Sequence, residues 1–246
     1  MRRFDFYCEW DGDTELDYRS ASLLHGVIMH AFPSCFSEQL HKTSIAEFHQ
    51  KLEFRKNAVK WTIHALTDEC ADYIDEYLYQ KMDAFYLKQK QIELRIVKKE
   101  SSDNLSYYEW YRMRTREGGL SNKIRIEFSG PTSFKSYNVY LEEPSLSLCY
   151  RSLAIRMGGL QETIRFPKKI WQQLADQTSI QQKTVKKCSF PLEKVTIPAF
   201  KGEMTVELQG DEDELLMMNL LWEFANFAGI GIKTAVGMGQ AKVTFL

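Results

Sequence analysis

The C-terminal stretch WEFANFAGIGIKTAVGMGQAKVTFL (residues 222–246) ends a helical pattern, crosses a glycine-rich segment and finishes on an alternating pattern. It holds four of the 13 glycines in the 246-residue chain, Gly229, Gly231, Gly237 and Gly239. Glycine adopts positive φ without a steric penalty and lets other groups approach the backbone closely. The spacing leaves two interpretations open. The segment is either a helix C-cap followed by a tight turn, or a nest of backbone amides that binds phosphate.

Two known phosphate-binding patterns do not fit this segment. The dinucleotide pattern GxGxxG follows a strand and opens a helix, whereas a helical pattern precedes this segment. The Gly-Lys-Ser/Thr of a P-loop is absent from the sequence. Lys233 and Thr234 add one positive charge and one hydroxyl to the segment, which suits a sugar-phosphate backbone.

Residues 1–100 show patterns in the order β-α-β-β-α-β, which is the ferredoxin-like order. In residues 2–10, Phe4, Phe6 and Cys8 alternate with polar residues, as in a half-buried strand. The remaining predicted elements are a helix over 14–32 capped by Asp13 or Thr14 and ended by Pro33, one helical turn and a loop over 37–48, a hairpin over 49–66 around Lys56-Asn57, a helix over 67–85 starting at Thr67, and a strand over 90–100.

The second half repeats this order of patterns without visible residue identity to the first. The predicted elements are a strand over 122–134 that stops at Gly130-Pro131, a helix over 144–160 with Gly158 at its end, a helix over 166–179, strands over 183–200 and 201–210, a helix over 211–229 and a strand over 239–246. We therefore expect an α+β protein with two tandem ferredoxin-like (βαββαβ, RRM-like) domains over residues 1–105 and 120–246. The junction is expected around residues 101–120.

Composition excludes several classes of protein. The formal net charge is −1, so any nucleic-acid surface must come from locally grouped charge. The five cysteines are scattered and form no CxxC pair, so we expect free thiols in a reducing cytoplasm and no zinc site. The N-terminus has no apolar signal core, and no apolar run is long enough for a membrane helix.

The segment AGIGIKTAVGMGQAKV (residues 228–243) closely resembles the C-terminal glycine-rich signature of the RAMP (repeat-associated mysterious protein) superfamily. Within that superfamily, the match is to the endoribonucleases that process CRISPR precursor RNA. Further matching pieces follow in the same order along the chain: LLHGVIM (23–29), SGPTSFK (129–135), YRSL (150–153), IPAFKGEMTVELQG (197–210) and LLWEFANFAGIG (220–231).

The resemblance implies a specific activity. These enzymes bind a CRISPR repeat and cut it near its 3′ side without a metal, so no cofactor is expected. The ribose 2′-OH attacks the adjacent phosphate and leaves a 2′,3′-cyclic phosphate and a 5′-OH. The expected partner is CRISPR repeat RNA, with a type III effector complex as a further candidate. A membrane partner is not expected, and monomer and homodimer both stay open.

A histidine suits the general acid and base roles of this reaction near neutral pH. Of the five histidines, His49 and His64 lie in strand patterns and are interpreted as structural, and His25 and His30 lie on the first helix. The resemblance places the catalytic histidine in a Leu-His context after that helix, which Leu40-His41 matches. In some relatives a lysine follows a few residues after this histidine, and the resemblance makes Lys42 and Lys51 the candidates for it. The candidate catalytic residues are His41, Lys42, Lys51 and His25.

Local charge adds candidates for an RNA-binding surface. Residues 112–125 carry five basic residues against one acidic residue, and residues 181–201 carry a second basic stretch. The candidate RNA-binding residues are Gly229, Gly231, Lys233, Thr234, Gly237, Gly239, Arg112, Arg114, Arg116, Lys123, Lys135 and Arg151. The glycine-rich segment does not separate an endoribonuclease from its alternative, a non-catalytic RAMP subunit that binds crRNA in an effector complex.

Overall fold

The computed structural model describes residues 1–43, 45–117, 119–161, 164–167, 169–192 and 195–246, with residues 114–117 described by their backbone alone. The chain forms two compact units. Unit 1 contains Met1–Asn104 and the short segment Ala235–Gly237. Unit 2 contains Leu105–Thr234 and Met238–Leu246.

Unit 1 is a five-stranded antiparallel sheet with helices. Its elements are β1 (Arg2–Glu9), α1 (Ala21–Ala31), α2 (Ser34–Lys42), β2 (Phe48–Arg55), β3 (Ala58–Ala65), α3 (Asp68–Ile74), β4 (Ala84–Leu87) and β5 (Ile92–Ser101). The strand order is β2-β3-β1-β5-β4. Without the short edge strand β4, this is the ferredoxin-like order in which the first strand lies between the third and the last.

Three elements of unit 1 form as their local sequence predicts. Phe4, Phe6 and Cys8 alternate into the core, as the pattern of β1 predicts. Asn57 adopts φ 50° at the predicted hairpin, where a short polar side chain tolerates the left-handed region. The Thr67 side chain accepts a hydrogen bond from the Cys70 amide and caps α3 as predicted.

Three predicted boundaries in unit 1 are wrong. The helix predicted over 67–85 ends earlier, because α3 continues only as a π-helical segment over Asp75–Gln80 and residues 84–87 form the strand β4. The first helix begins at Ala21, after a 3₁₀ turn over Tyr18–Ser20 that Asp17 caps, so neither Asp13 nor Thr14 is its cap. The polar stretch around His41 forms a nine-residue helix, α2, rather than one turn and a loop. Its buried Phe36 stacks on Tyr73 at 4.3 Å between ring centroids. This aromatic contact stabilises a helix whose polar sequence pattern does not predict an apolar face.

Unit 2 repeats the same topology. Its elements are α4 (Tyr107–Glu117), β6 (Lys123–Thr132), β7 (Phe134–Ser136), β8 (Val139–Leu141), α5 (Leu146–Leu160), α6 (Ile170–Asp176), β9 (Thr178–Pro191), β10 (Thr196–Leu208), α7 (Glu212–Ala228) and β11 (Ala241–Phe245). The main sheet has the order β11-β6-β10-β9, and β7 and β8 form a separate two-stranded hairpin. Both sheets thus have the ferredoxin-like order, and the predicted α+β class is confirmed.

Unit 2 also departs from the predicted boundaries. The expected junction over 101–120 contains α4, which belongs to unit 2. β6 continues through Gly130-Pro131 to Thr132, whereas α5 ends at Leu160 with Gly158 in its last turn, as predicted. The acidic start of α7 forms a capping box between Asp211 and Glu214. Among the helices of the described ranges, none is both long and apolar enough to cross a membrane.

Candidate functional site

The glycine-rich segment follows α7 and is held tightly by its own backbone. Gly229 is the C-cap of α7, with φ 69° and its amide donating to the Ala225 carbonyl, as the cap interpretation predicts. The Gly231 amide donates to Ser152 Oγ, and the Gly239 amide donates to the Pro131 carbonyl. These three amides are used inside unit 2, so the interpretation of the segment as an amide nest does not hold for them.

Close approach of the backbone explains two of these glycines. A Cβ on Gly231 would lie 2.4 Å from the Ser133 carbonyl oxygen, and one on Gly239 would lie 2.1 Å from the Ile230 carbonyl oxygen. Both residues also have positive φ, at 89° and 71°. The glycines therefore fix the shape of the segment, independently of any ligand.

A half-buried arginine binds the backbone at the start of the segment. Arg156 on α5 donates to the carbonyls of Ala228, Gly229 and Gly231. Burial lowers the pKa of Arg156 to about 10, which leaves the guanidinium charged at neutral pH. A cation at the C-terminus of α7 is also favoured by the helix dipole. The sequence shows nothing of this contact because the partners are 72–75 residues apart.

Lys233 is the exposed cation of the segment. Within residues 229–240, all of which the structure describes, the other residues are buried or half-buried. Thr234 is 2 % exposed and Gly237 and Gly239 are buried, so these three residues present little surface to a ligand. Direct contact between this segment and a nucleic acid would therefore centre on Lys233.

The other predicted RNA-binding residues differ in how close they lie to the glycine-rich segment. Lys135 lies on the β7–β8 hairpin next to the segment, since the Ile232 amide donates to the Ser133 carbonyl at 3.1 Å. Arg151 lies on α5 with its guanidinium over Trp171, at 5.9 Å. Lys123 starts β6, whereas residues 232–240 of the segment contact Gly130, Pro131 and Ser133 at the other end of that strand, at least roughly 23 Å away at about 3.3 Å per residue. The structure does not bring Lys123 together with the segment.

The predicted basic helix is only partly described. Arg112 on α4 places its guanidinium 5.5 Å from the centre of the Tyr108 ring. The side chains of Arg114 and Arg116 lie outside the described residues. In the second basic stretch, Lys183 and Lys187 on β9 pair with Glu143 and Glu142, at 2.9 and 3.3 Å. These two ion pairs reduce the positive charge that β9 offers to a phosphate.

Two histidines are exposed, and both lie in the last turn of a helix. His41 is near the end of α2, and its neighbour Lys42 pairs weakly with Glu38 at 3.9 Å. His30 is near the end of α1. By contrast, His25 is half-buried and its ring stacks on Phe48, with 5.7 Å between ring centroids.

The structure separates Lys51 from His25. Gln50 donates to the Ala21 carbonyl of α1, so the face of β2 that contains Gln50 is the face that α1 covers. Adjacent strand residues point to opposite faces, so Lys51 lies on the other face of the sheet. Burial lowers the pKa of Lys51 to about 8. The other face also holds His49 and His64, which are buried as a structural role requires, at 0 % and 6 % exposure.

Comparison with known proteins now relates this arrangement to a family. A family model described as "CRISPR-associated endoribonuclease Cas6" matches residues 126–241. The chain is 27 % identical over 224 residues to a CRISPR-associated endoribonuclease Cas6 from Streptococcus thermophilus, covering 89 % of each chain. It is also 27 % identical over 227 residues to a Cas6 from Mycobacterium tuberculosis, covering 89 % of this chain and 70 % of that one.

The chain is similar to the Cas6 endoribonucleases. Its fold is also that of a Thermus thermophilus Cas6 solved as a product complex, with a TM-score of 0.78, 19 % identity and coverage of 99 % and 100 % of the two chains. The resemblance inferred from the glycine-rich segment is therefore confirmed, and the Cas6 family model covers residues 229–240 together with most of β6, the β7–β8 hairpin and α5.

Proposed function

We propose that this protein is an endoribonuclease that processes CRISPR precursor RNA by cutting within the repeat. The observation that carries the proposal is the similarity to curated Cas6 endoribonucleases over 89 % of the chain. It is supported by the exposed histidine in the position that the resemblance assigns to the catalytic group. The buried His49 and His64 and the half-buried His25 are less accessible to a substrate than His41.

In the proposed reaction the ribose 2′-OH attacks the neighbouring phosphorus. The bond from phosphorus to the 5′-oxygen breaks and leaves a 2′,3′-cyclic phosphate on one product and a 5′-OH on the other. One proton leaves the 2′-oxygen and one reaches the departing 5′-oxygen, so the step needs proton transfer but no oxidant or added water. His41 accepts or donates one of these protons, and Lys42 beside it adds positive charge near the phosphate.

The RNA is held by unit 2 in this proposal. Lys233, Lys135 and Arg151 offer exposed cationic side chains around the glycine-rich segment. Backbone phosphates position an RNA through such contacts without reading its sequence. The rigid backbone of the segment, fixed by Arg156 and the positive-φ glycines, keeps Lys233 in place for this contact.

The test compares two exposed histidines. A labelled RNA carrying the source organism's CRISPR repeat is incubated in EDTA with the wild type, His41→Ala and His30→Ala. We expect His41→Ala to slow cleavage by about 10²–10⁴-fold, the usual contribution of a general acid or base. His30→Ala, at the equivalent place on α1, should cut at the rate of the wild type.

Two further outcomes decide the chemistry. A 2′-deoxy nucleotide at the scissile position should abolish cutting, because the nucleophile is missing. Binding of the repeat without any cleavage by the wild type would instead favour the non-catalytic crRNA-binding subunit. Equal cleavage by His41→Ala and the wild type would remove His41 from the mechanism, and a requirement for added divalent metal would contradict the metal-independent route.

A further inference from the structure

The β7–β8 hairpin presents an aromatic side chain fully to solvent. Ser136 pairs with Val139, which leaves Tyr137 and Asn138 as a two-residue turn. Tyr137 is 99 % exposed, so both faces of its ring are open. Lys135 is exposed on the same hairpin, and its ammonium lies 5.6 Å from the centre of the Tyr140 ring.

The backbone at this turn is costly for tyrosine. Tyr137 and Asn138 have φ of 46° and 64°, as a type I′ turn requires at both central residues. Asparagine tolerates this region, but a bulky residue with positive φ is a true outlier that carries backbone strain. The exposed tyrosine contributes nothing to packing that would offset this cost, so its position suggests a ligand.

The hairpin is anchored firmly beside the glycine-rich segment. Phe134 is buried, with its ring centre 6.2 Å from that of Phe200, and Ser133 Oγ donates to the Leu141 carbonyl at 3.2 Å. The Ser133 carbonyl in turn accepts from the Ile232 amide, directly before Lys233. With three residues per strand at about 3.4 Å each, the tip stands roughly 10 Å from this base.

We propose that Tyr137 stacks on an unpaired nucleobase of the RNA whose backbone contacts Lys233 and Lys135. This inference rests on the proposed RNA substrate. Tyrosine stacks on any base because every base has a π-face, and neighbouring cations neutralise the adjoining phosphates. Bases inside a paired stem have both faces covered by neighbouring pairs, so the ligand is a single-stranded part of the repeat.

Binding is measured with repeat RNA that carries a 2′-deoxy nucleotide at the mapped cleavage site. Alanine substitution of a stacking aromatic usually weakens binding by about tenfold or more. We expect this loss for Tyr137→Ala and near wild-type affinity for Tyr137→Phe, which keeps the ring. The control Tyr86→Ala removes an exposed tyrosine of unit 1, 54 % exposed, and should leave the affinity unchanged.

A second readout reports stacking directly. 2-Aminopurine is placed at each unpaired position of the repeat in turn, and its fluorescence is quenched when it stacks on a ring. One position should be quenched by the wild type and by Tyr137→Phe but not by Tyr137→Ala. Unchanged affinity and quenching in Tyr137→Ala, with the wild type still cutting, would overturn this inference alone. A wild type that neither binds nor cuts the repeat would overturn the proposed function as well.

Discussion

At the scale of single residues, Lys51 shows most clearly how burial of a charged side chain makes stability depend on pH. Its pKa is lowered to about 8 because burial disfavours the ammonium, although Glu53 and Asp5 oppose the shift. The unfolded chain has the ordinary lysine pKa of about 10.4. Between these two values the unfolded state binds more protons than the folded state, so the free energy of unfolding rises with pH from about 8 to about 10.4.

The direction of this pH dependence predicts the effect of Lys51→Met on stability. The substitution removes a charge that the folded state holds at a cost below pH 8, so we expect it to stabilise the protein at pH 7 by about 1–3 kcal/mol. Urea unfolding at pH 7, 8, 9 and 10 measures the effect, and the gain should shrink as the pH rises. Lys88→Met, at an exposed lysine, is the control. A gain that is the same at every pH would contradict the assignment of the pKa to Lys51.

At the scale of elements, the glycine-rich segment depends on backbone shape. Gly239→Ala places a Cβ 2.1 Å from the Ile230 carbonyl oxygen at a residue with φ 71°, and the neighbouring backbone must move. We expect a loss of at least about 2 kcal/mol in the free energy of unfolding. Gly26→Ala is the matched control, because Gly26 lies inside α1 with no atom near its Cβ position.

The control substitution should have the opposite sign. Alanine is favoured over glycine in a helix interior by about 0.5–1 kcal/mol, so Gly26→Ala should raise the stability measured in the same urea experiment. If Gly239→Ala were as stable as the wild type, the segment would be adaptable rather than fixed. The segment would then have to become ordered only when RNA binds to it.

The elements also show which features a sequence can predict. The hairpin at Asn57, the Thr67 cap and the start of α7 at Asp211 depend on residues within a few positions of each other, and all three were predictable. Helix α2 was not predictable, because it is stabilised by the packing of Phe36 on Tyr73, which lies 37 positions further along the chain. The contact of Arg156 with the glycine-rich segment and the exposure of Tyr137 likewise depend on the tertiary structure alone.

At the scale of the whole molecule, the two units do not correspond to two continuous stretches of chain. Unit 1 includes residues 235–237, whereas the residues before and after them belong to unit 2. A Cβ on Gly237 would lie 3.0 Å from Ala21 Cβ and 3.6 Å from Gln50 Nε2, both in unit 1. Unit 1 therefore cannot keep its complete set of contacts once the glycine-rich segment has unfolded.

This connection predicts that the chain unfolds in one cooperative transition. Calorimetry should show a single endotherm whose calorimetric and van't Hoff enthalpies agree. Gly237→Ala, which is strained at φ 98° and crowded by Ala21, should move the whole endotherm to lower temperature without splitting it. Gly119→Ala has no atom near its Cβ position and serves as the control, with an unchanged midpoint. Two separate endotherms in the wild type, or a shift in only one part of the transition, would mean that the units unfold independently despite the shared segment.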